Sequence, residues 1–386
     1  MKLSEKVFSN SKLFIGLYVL VAIVVSLQSY FVGSKSIDSS GIVYTHYNNF
    51  IIFKQSFFHL VQLNDLYTHY PLEHWDLYKY SPFFALFFGI FSFLPASLGL
   101  ILWNVVNSLL LAISINFLPG ISQRNKSFIL LICIIELTTS MQNSQSNAMM
   151  AALIILAFGF MERNKIWPAA LCIVFSAFIK IFGILALCLF LFYPQKWKAA
   201  IATALSVILF LIFPIVVTGV DRLVFLYKSW WVLLSNDHAS SLGYSVMGWM
   251  ESWFNLHFDK IYIVITGFIL FSIAFLRIKF YQYYKFRLLY LSSVLLWIVI
   301  FNHKAESPTF IIAMAGLAIS FFMHISLKKI DLILLILSFV FVSLSATDLF
   351  PAFIRKEIFQ PYVIKVVPCI FIWFRLVFMQ VKVQKL

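Results

Sequence analysis

The sequence predicts an all-α, polytopic integral membrane protein of about 11 to 13 transmembrane or partial helices. Three observations predict it. Hydrophobic residues make up 62% of the chain and charged residues 11%, with a mean hydropathy of +0.93, whereas a soluble domain is roughly 45–50% apolar and 25% charged. Apolar runs recur from end to end, at 12–31, 82–95, 98–117, 127–141, 146–161, 166–180, 182–194, 199–219, 261–277, 287–302, 308–324, 329–345 and 361–378. Most lysines and arginines, finally, are spread over the loops between runs and form no contiguous patch.

The runs are read as helices, because lipid offers no partner to backbone N–H and C=O groups and no run alternates like a barrel strand. Several are shorter than the ~20 residues that cross the hydrocarbon core, so some are tilted, partial or re-entrant. The first run, followed by no small-residue cleavage motif, is expected to stay as an anchor. No linker or low-complexity tract divides residues 1–386, which predicts a single membrane domain. Two long loops interrupt it, at about 32–81 and 220–260. Within the first, "NNFIIFKQSFFHLVQ" repeats Phe50, Phe53, Phe57 and Leu60 at helical spacing, with Lys54, Gln55, His59 and Gln62 between them. That pattern predicts an interfacial helix lying on the membrane.

A net charge of +14 does not point to nucleic acid when the cations are this dispersed. The positive-inside rule explains it instead. Basic residues in segments 2–12, 124–126, 163–165, 196–198, 277–287, 328–329 and 382–385 share one face, taken as cytoplasmic with both termini. The loops 32–81 and 220–260, with tips at "QNSQSN" (142–147), Lys180, "NHKAESP" (302–308) and 346–361, occupy the other. An external first loop and a cytoplasmic "SQRNKS" at 122–127 need an odd number of crossings between them. The run 82–95 is therefore expected to be partial. Cys133, Cys172, Cys188 and Cys369 all lie in apolar runs without metal or disulfide spacing, and receive no redox role.

The order "NNFIIFKQSFFHLVQLNDLY", "YKYSPFFALFFGIFSFLP", "GLILWNVVNSLLL", "QNSQSNAMMAALIILAF" and "FIKIFGILALCLFL" resembles the polytopic membrane glycosyltransferases of family 87. These are integral-membrane enzymes of the GT-C fold, similar to polyprenyl-phosphate-mannose-dependent mannosyltransferases. The resemblance implies transfer of a hexose, such as mannose, from a polyprenyl-phosphate donor to a lipid or glycan acceptor hydroxyl on the extracytoplasmic side of the inner membrane. It implies no cofactor. In such enzymes the first external loop supplies a catalytic Asp, but here Asn48 and Asn49 stand ahead of Phe50. An amide cannot take the acceptor's proton at neutral pH.

Inverting transfer needs a base near the attacking hydroxyl and cations or donors at the leaving phosphate. Asp76 and Asp65, in "WDLY" and "NDLY", are the candidate bases, with Glu73 and Asp38 poorer choices. Lys79, Tyr80 and Tyr78 precede a helix that Ser81 and Pro82 would start, a place suited to a lipid-linked phosphate. Their alternative role is to anchor that helix at the interface. Lys180, alone among apolar residues, either reaches into the site or pairs with Glu136. Asn49, Gln142, Asn143, Gln145 and Asn147 offer amides for sugar hydroxyls, and His303, Lys304 and Glu306 form a third polar tip. The tip amides serve equally well as helix-to-helix hydrogen bonds. Trp230, Trp231, Trp249 and Trp253, with Asp237, His238 and Glu251, fit a membrane-interface belt or a carrier contact. No metal site is expected. Two other functions use the same polar face: a transporter or flippase of lipid-linked sugars, and a catalytically silent lipid-binding subunit.

Overall fold

The computed structural model describes residues 8–36, 42–236, 241–323 and 329–382. Asp38, Asp237, His238, Lys2, Lys6, Lys328 and Lys385 lie outside the described residues. Helix α1 (Ser11–Phe31) starts where the Asn10 carboxamide oxygen accepts the N–H groups of Lys12 and Leu13 at 3.1 and 3.4 Å. A short antiparallel hairpin, β1 (Ser34–Ser36) and β2 (Val43–Thr45), follows. Every other regular element among the described residues is helical, as the apolar runs predict.

Helix α2 (Asn48–Val61) forms where the Phe50/Phe53/Phe57 spacing placed it. Its aromatic stripe does not meet lipid: Phe50, Phe53, Phe57 and Leu60 are buried in protein. They pack on α3 (Pro82–Ser92) and on Trp103 of α4 (Ala96–Phe117). Gly89 permits the approach, since a Cβ there would lie 2.5 Å from the Phe57 ring. Eleven residues make α3 only about 16 Å long, roughly half the hydrocarbon thickness. That is short of the ~20 residues of a full crossing.

The core is built from α5 (Gln123–Gln142), α6 (Asn147–Met161) and α7 (Ile166–Ile179), a 3₁₀ helix over Ile181–Phe192, and later α12 (Tyr284–Ile300) and α13 (Phe310–Phe322). Past their first turns, helices α6, α12 and α13 are apolar and buried on nearly every side, so they lie at the centre. Around them stand α8 (Lys196–Ile212), α9 (Val220–Asn236), α10 (Val246–Phe254) and α11 (Lys260–Ser272). The chain ends in α14 (Lys329–Ser338), continued by a π-helical turn, and α15 (Val367–Lys382). Among the described residues, four helical stretches are long and apolar enough to cross a membrane: Ser11–Phe31, Ala96–Phe117, Lys196–Thr218 and Ile364–Lys382. The third of these buries little beyond Ala199, Ala202 and Ser206, which leaves most of its surface for lipid.

Polar side chains inside the bundle join helices where no water is at hand. The Asn104 amide donates to Ser26 Oγ at 2.9 Å, Ser108 to the Tyr18 carbonyl at 2.8 Å and the Tyr18 hydroxyl to the Leu130 carbonyl at 2.7 Å, binding α1, α4 and α5 together. At one end of the bundle Arg287 grips Glu162 with two bonds of 2.6 and 2.7 Å, and Tyr193 donates to the same carboxylate. Lys126 and Arg163 close around Asn116 and Phe117 at this same end. Helix α6 is about 22 Å long, so Asn147, at its start, lies at the other end.

The Arg287–Glu162 pair is largely buried, with side chains 14% and 7% exposed, so removing one partner strands a charge in mostly apolar surroundings. Arg287→Met should cost about 3–5 kcal/mol, seen as a lowered midpoint of thermal unfolding in lipid nanodiscs. Adding Glu162→Gln should restore most of the loss.

Candidate functional site

At the Asn147 end, the connections between α5 and α6, between α7 and the 3₁₀ helix, and between α12 and α13 meet the first loop around a cleft of about 1020 Å³. Each wall is built locally. In α4, Trp103 Nε1 donates to the Ser144 carbonyl at 2.9 Å, Asn104 Nδ2 to the Met141 carbonyl at 3.3 Å, and Asn107 Oδ1 accepts from Met149 N at 3.1 Å. Three side chains of one helix thus fix the turn through Ser144, whose φ is +51°, and aim Gln145 and Asn147 across the cleft.

Lys180 caps α7 from outside the helix, with an extended backbone. Its ammonium donates to Asn147 Oδ1 at 2.8 Å and Gln145 Oε1 at 3.1 Å. The Asn147 amide donates in turn to Gln145 Oε1 at 2.8 Å and to the Pro308 carbonyl at 3.0 Å, and Gln145 Nε2 donates to Glu306 Oε2 at 3.1 Å. Three connections are therefore joined through neutral amides, with a cation at one end and a carboxylate at the other. Desolvation lowers the Lys180 amine to about 8, with Glu306 opposing the shift and Lys79 adding to it. Lys180 does not pair with Glu136, which instead holds Lys365 at 2.9 Å.

The first loop is anchored by its backbone. The Tyr78 hydroxyl donates to the Ser81 carbonyl at 2.8 Å, Tyr67 to the Tyr80 carbonyl at 3.0 Å, and Trp230 of α9 to the Lys79 carbonyl at 3.1 Å. Ser81 caps α3 by accepting from Phe84 N at 3.2 Å, and its hydroxyl donates to the Phe178 carbonyl at 2.6 Å, two residues before Lys180. Pro82 has no N–H and that of Phe84 is taken by its cap. Lys79 and Tyr80 line the cleft beside this helix start. Lys79 meets Asp76 Oδ2 at 3.2 Å, while Asp76 Oδ1 accepts from Leu77 N at 2.7 Å. Burial holds His74 below the ordinary histidine range. Since a carbonyl can only accept, His74 Nδ1 carries the proton it shares with the Asp76 carbonyl at 2.8 Å.

Asp76, Lys79, Tyr80, Asn49, Asn143, Gln145, Lys180, His303, Lys304 and Glu306 all line this one cleft. Asn147 stands directly behind it. Tyr78 is buried beneath, and Gln142 is exposed outside it. Asp65 lies apart: both of its oxygens accept from Ser229, at 3.0 and 2.8 Å, which fastens α9 to the first loop. Glu73 is taken up by His59 at 3.0 Å. Asn49 donates from Nδ2 to the Asn143 carbonyl at 2.8 Å, a bond that an ionised carboxylate at this position could not make. Asn48 Oδ1 accepts from Trp75 N at 3.1 Å. Trp230 and Glu251 also face the cleft, with His46, Thr309 and Gln360, three residues that nothing in their sequence context singles out. Among the described residues, no three His, Cys, Asp or Glu side chains gather as a metal-binding set.

A family model described as glycosyltransferase family 87 matches residues 78–301, more than half of the chain. The match begins at the Tyr78 side of the cleft and runs to the end of α12. No curated protein matches the chain.

The segment before α10 closes on the third tip. Tyr244 N donates to the Ala305 carbonyl at 2.9 Å, and Gly243, at φ +55°, would place a Cβ 2.7 Å from the His303 carbonyl and 2.8 Å from that of Ala305. Gly243→Ala should therefore cost about 1–3 kcal/mol and accelerate amide exchange at 303–305, measurable by mass spectrometry.

Proposed function

Because the chain belongs to glycosyltransferase family 87 and is a bundle of membrane-type helices, it is a membrane glycosyltransferase, and we propose that its cleft moves a hexose from a polyprenyl-phosphate donor to an acceptor hydroxyl. Mannose is the candidate hexose, and a lipid or glycan the candidate acceptor. The observation that carries this reading is the meeting of Lys79, Lys180 and Asp76 in one cleft at the end of an apolar bundle.

The chemistry assigned to these groups is direct displacement. The acceptor oxygen attacks the anomeric carbon as the bond from that carbon to the phosphate oxygen breaks, inverting the centre. Asp76 takes the acceptor's proton, and the departing phosphate keeps the bonding electron pair. Lys79 and Lys180, with His303 and Lys304, offset the charge that builds there. A phosphate leaving group stabilised by lysines needs no metal or cofactor in this scheme. Binding of phosphate would replace the present partners of Lys79 and Lys180, which would free Asp76 from its lysine.

Orientation follows from the charges. The bundle end that carries Lys126, Arg163, Arg287 and Lys382 is the basic one, and the positive-inside rule assigns it to the cytoplasm. Phe8 stacks on Phe128 near this end and α15 finishes there, which supports cytoplasmic termini in an inner membrane. The cleft would then face outward, in contact with membrane lipids and with no role for nucleic acid. A transporter would need a polar path to the basic end. The buried Lys365 and the partly buried Arg287 are instead each paired with a carboxylate.

Sugar transfer by the purified protein in nanodiscs, from a panel of labelled polyprenyl-phosphate hexoses onto native lipids and glycans, tests the proposal. Asp76→Asn should lower kcat about 10²–10⁴-fold, whereas Asp65→Asn should act through stability alone. Undiminished product from Asp76→Asn would refute the assigned base. Lys180 is charged below about pH 8 and neutral above it, so donor KM should rise as pH passes upward through 8. In Lys180→Ala that dependence should disappear.

A further inference from the structure

A second pair of charges lies beneath the cleft, where the proposed chemistry does not use it. Glu136, fully buried in α5, accepts from Lys365 Nζ at 2.9 Å, and Lys365 is itself only 3% exposed. The same ammonium donates to Ser307 Oγ at 2.8 Å and lies 5.2 Å from the centre of the Phe310 ring. Glu136 precedes Gln142 by six residues, so it stands about 9 Å below the tip that carries Asn143 and Gln145. Ser307 adjoins Glu306, and Lys365 follows Gln360, Pro361 and Val363. One ammonium therefore touches α5 and the α12–α13 tip while belonging to the segment before α15, and the cleft is lined by Asn143 just past α5, by Glu306 of the tip and by Gln360, Pro361 and Val363 of that segment.

Two charges in an apolar interior are a poor way to gain stability, since an apolar pair of similar volume usually does as well or better. What such a pair supplies is a fixed position. We infer that Lys365 and Glu136 are positioning residues, which through Ser307 hold the tip 302–309 against the Gln145 tip and so set Glu306, His303 and Lys304 in the cleft. The kinetic consequence of this inference rests on the transferase reading.

The test compares Ser307→Ala, Ser307→Thr and the double variant E136M/K365M with wild type in nanodiscs, by thermal unfolding, local amide exchange and donor kinetics. The double variant avoids stranding one buried charge, and Ser307→Ala removes only the tether. In both, the melting temperature should stay within a few degrees while exchange at 302–309 quickens. Transfer should lose about ten- to hundredfold in kcat, with donor KM nearly unchanged, and Ser307→Thr, which keeps the hydroxyl, should behave as wild type. Wild-type exchange rates at 302–309 in both Ser307→Ala and the double variant would overturn the inference. Wild-type protein that consumes no donor would count against the transferase reading alone, because exchange at the tip still decides the positioning role.

Discussion

Inside an apolar bundle, a polar group has only the protein to bond with, and that constraint organises this molecule. Backbone groups meet it through helices. Side chains meet it by pairing across helices, as Asn104 does with Ser26, Arg287 with Glu162 and Lys365 with Glu136. At the cleft end the same need produces the chain Lys180, Asn147, Gln145, Glu306. There the partners are amides rather than a counter-ion, and a cation held by neutral groups keeps its capacity to meet an arriving anion.

The contrast between the two lysines follows from depth. Lys365 is enclosed and answered by a full charge. Lys180 stands half-buried at a helix end, beside the Tyr80 ring, with its carboxylate one amide away. Asp76 and Asp65 differ in the same manner. The first lines the cleft paired with Lys79, while the second is occupied on both oxygens by Ser229 and serves to dock α9.

Helix α3 is only eleven residues long, and α2 covers its aromatic face. Lys79, Tyr80 and Trp230 line the cleft beside its N-terminal end. Asn49, where a carboxylate was expected, ties α2 to the Asn143 carbonyl.

The sequence by itself determined the class of the protein and most of its helices. Bilayer burial acts on single residues and on local runs, so composition, apolar periodicity and the dispersal of cations are legible without coordinates. The lone Lys180 and the polar tips were legible for the same reason, since charge amid apolar residues is costly wherever the chain goes. Lys365 carried that signal too, set among apolar residues from 361 to 378. Only the tertiary structure decided which groups answer one another. That Glu136 takes Lys365 and not Lys180, that Asp65 is spent on Ser229, and that α2 meets Phe84 and Trp103 rather than lipid depend on contacts between positions up to 229 residues apart, and one chain's spacing carries no record of such distances.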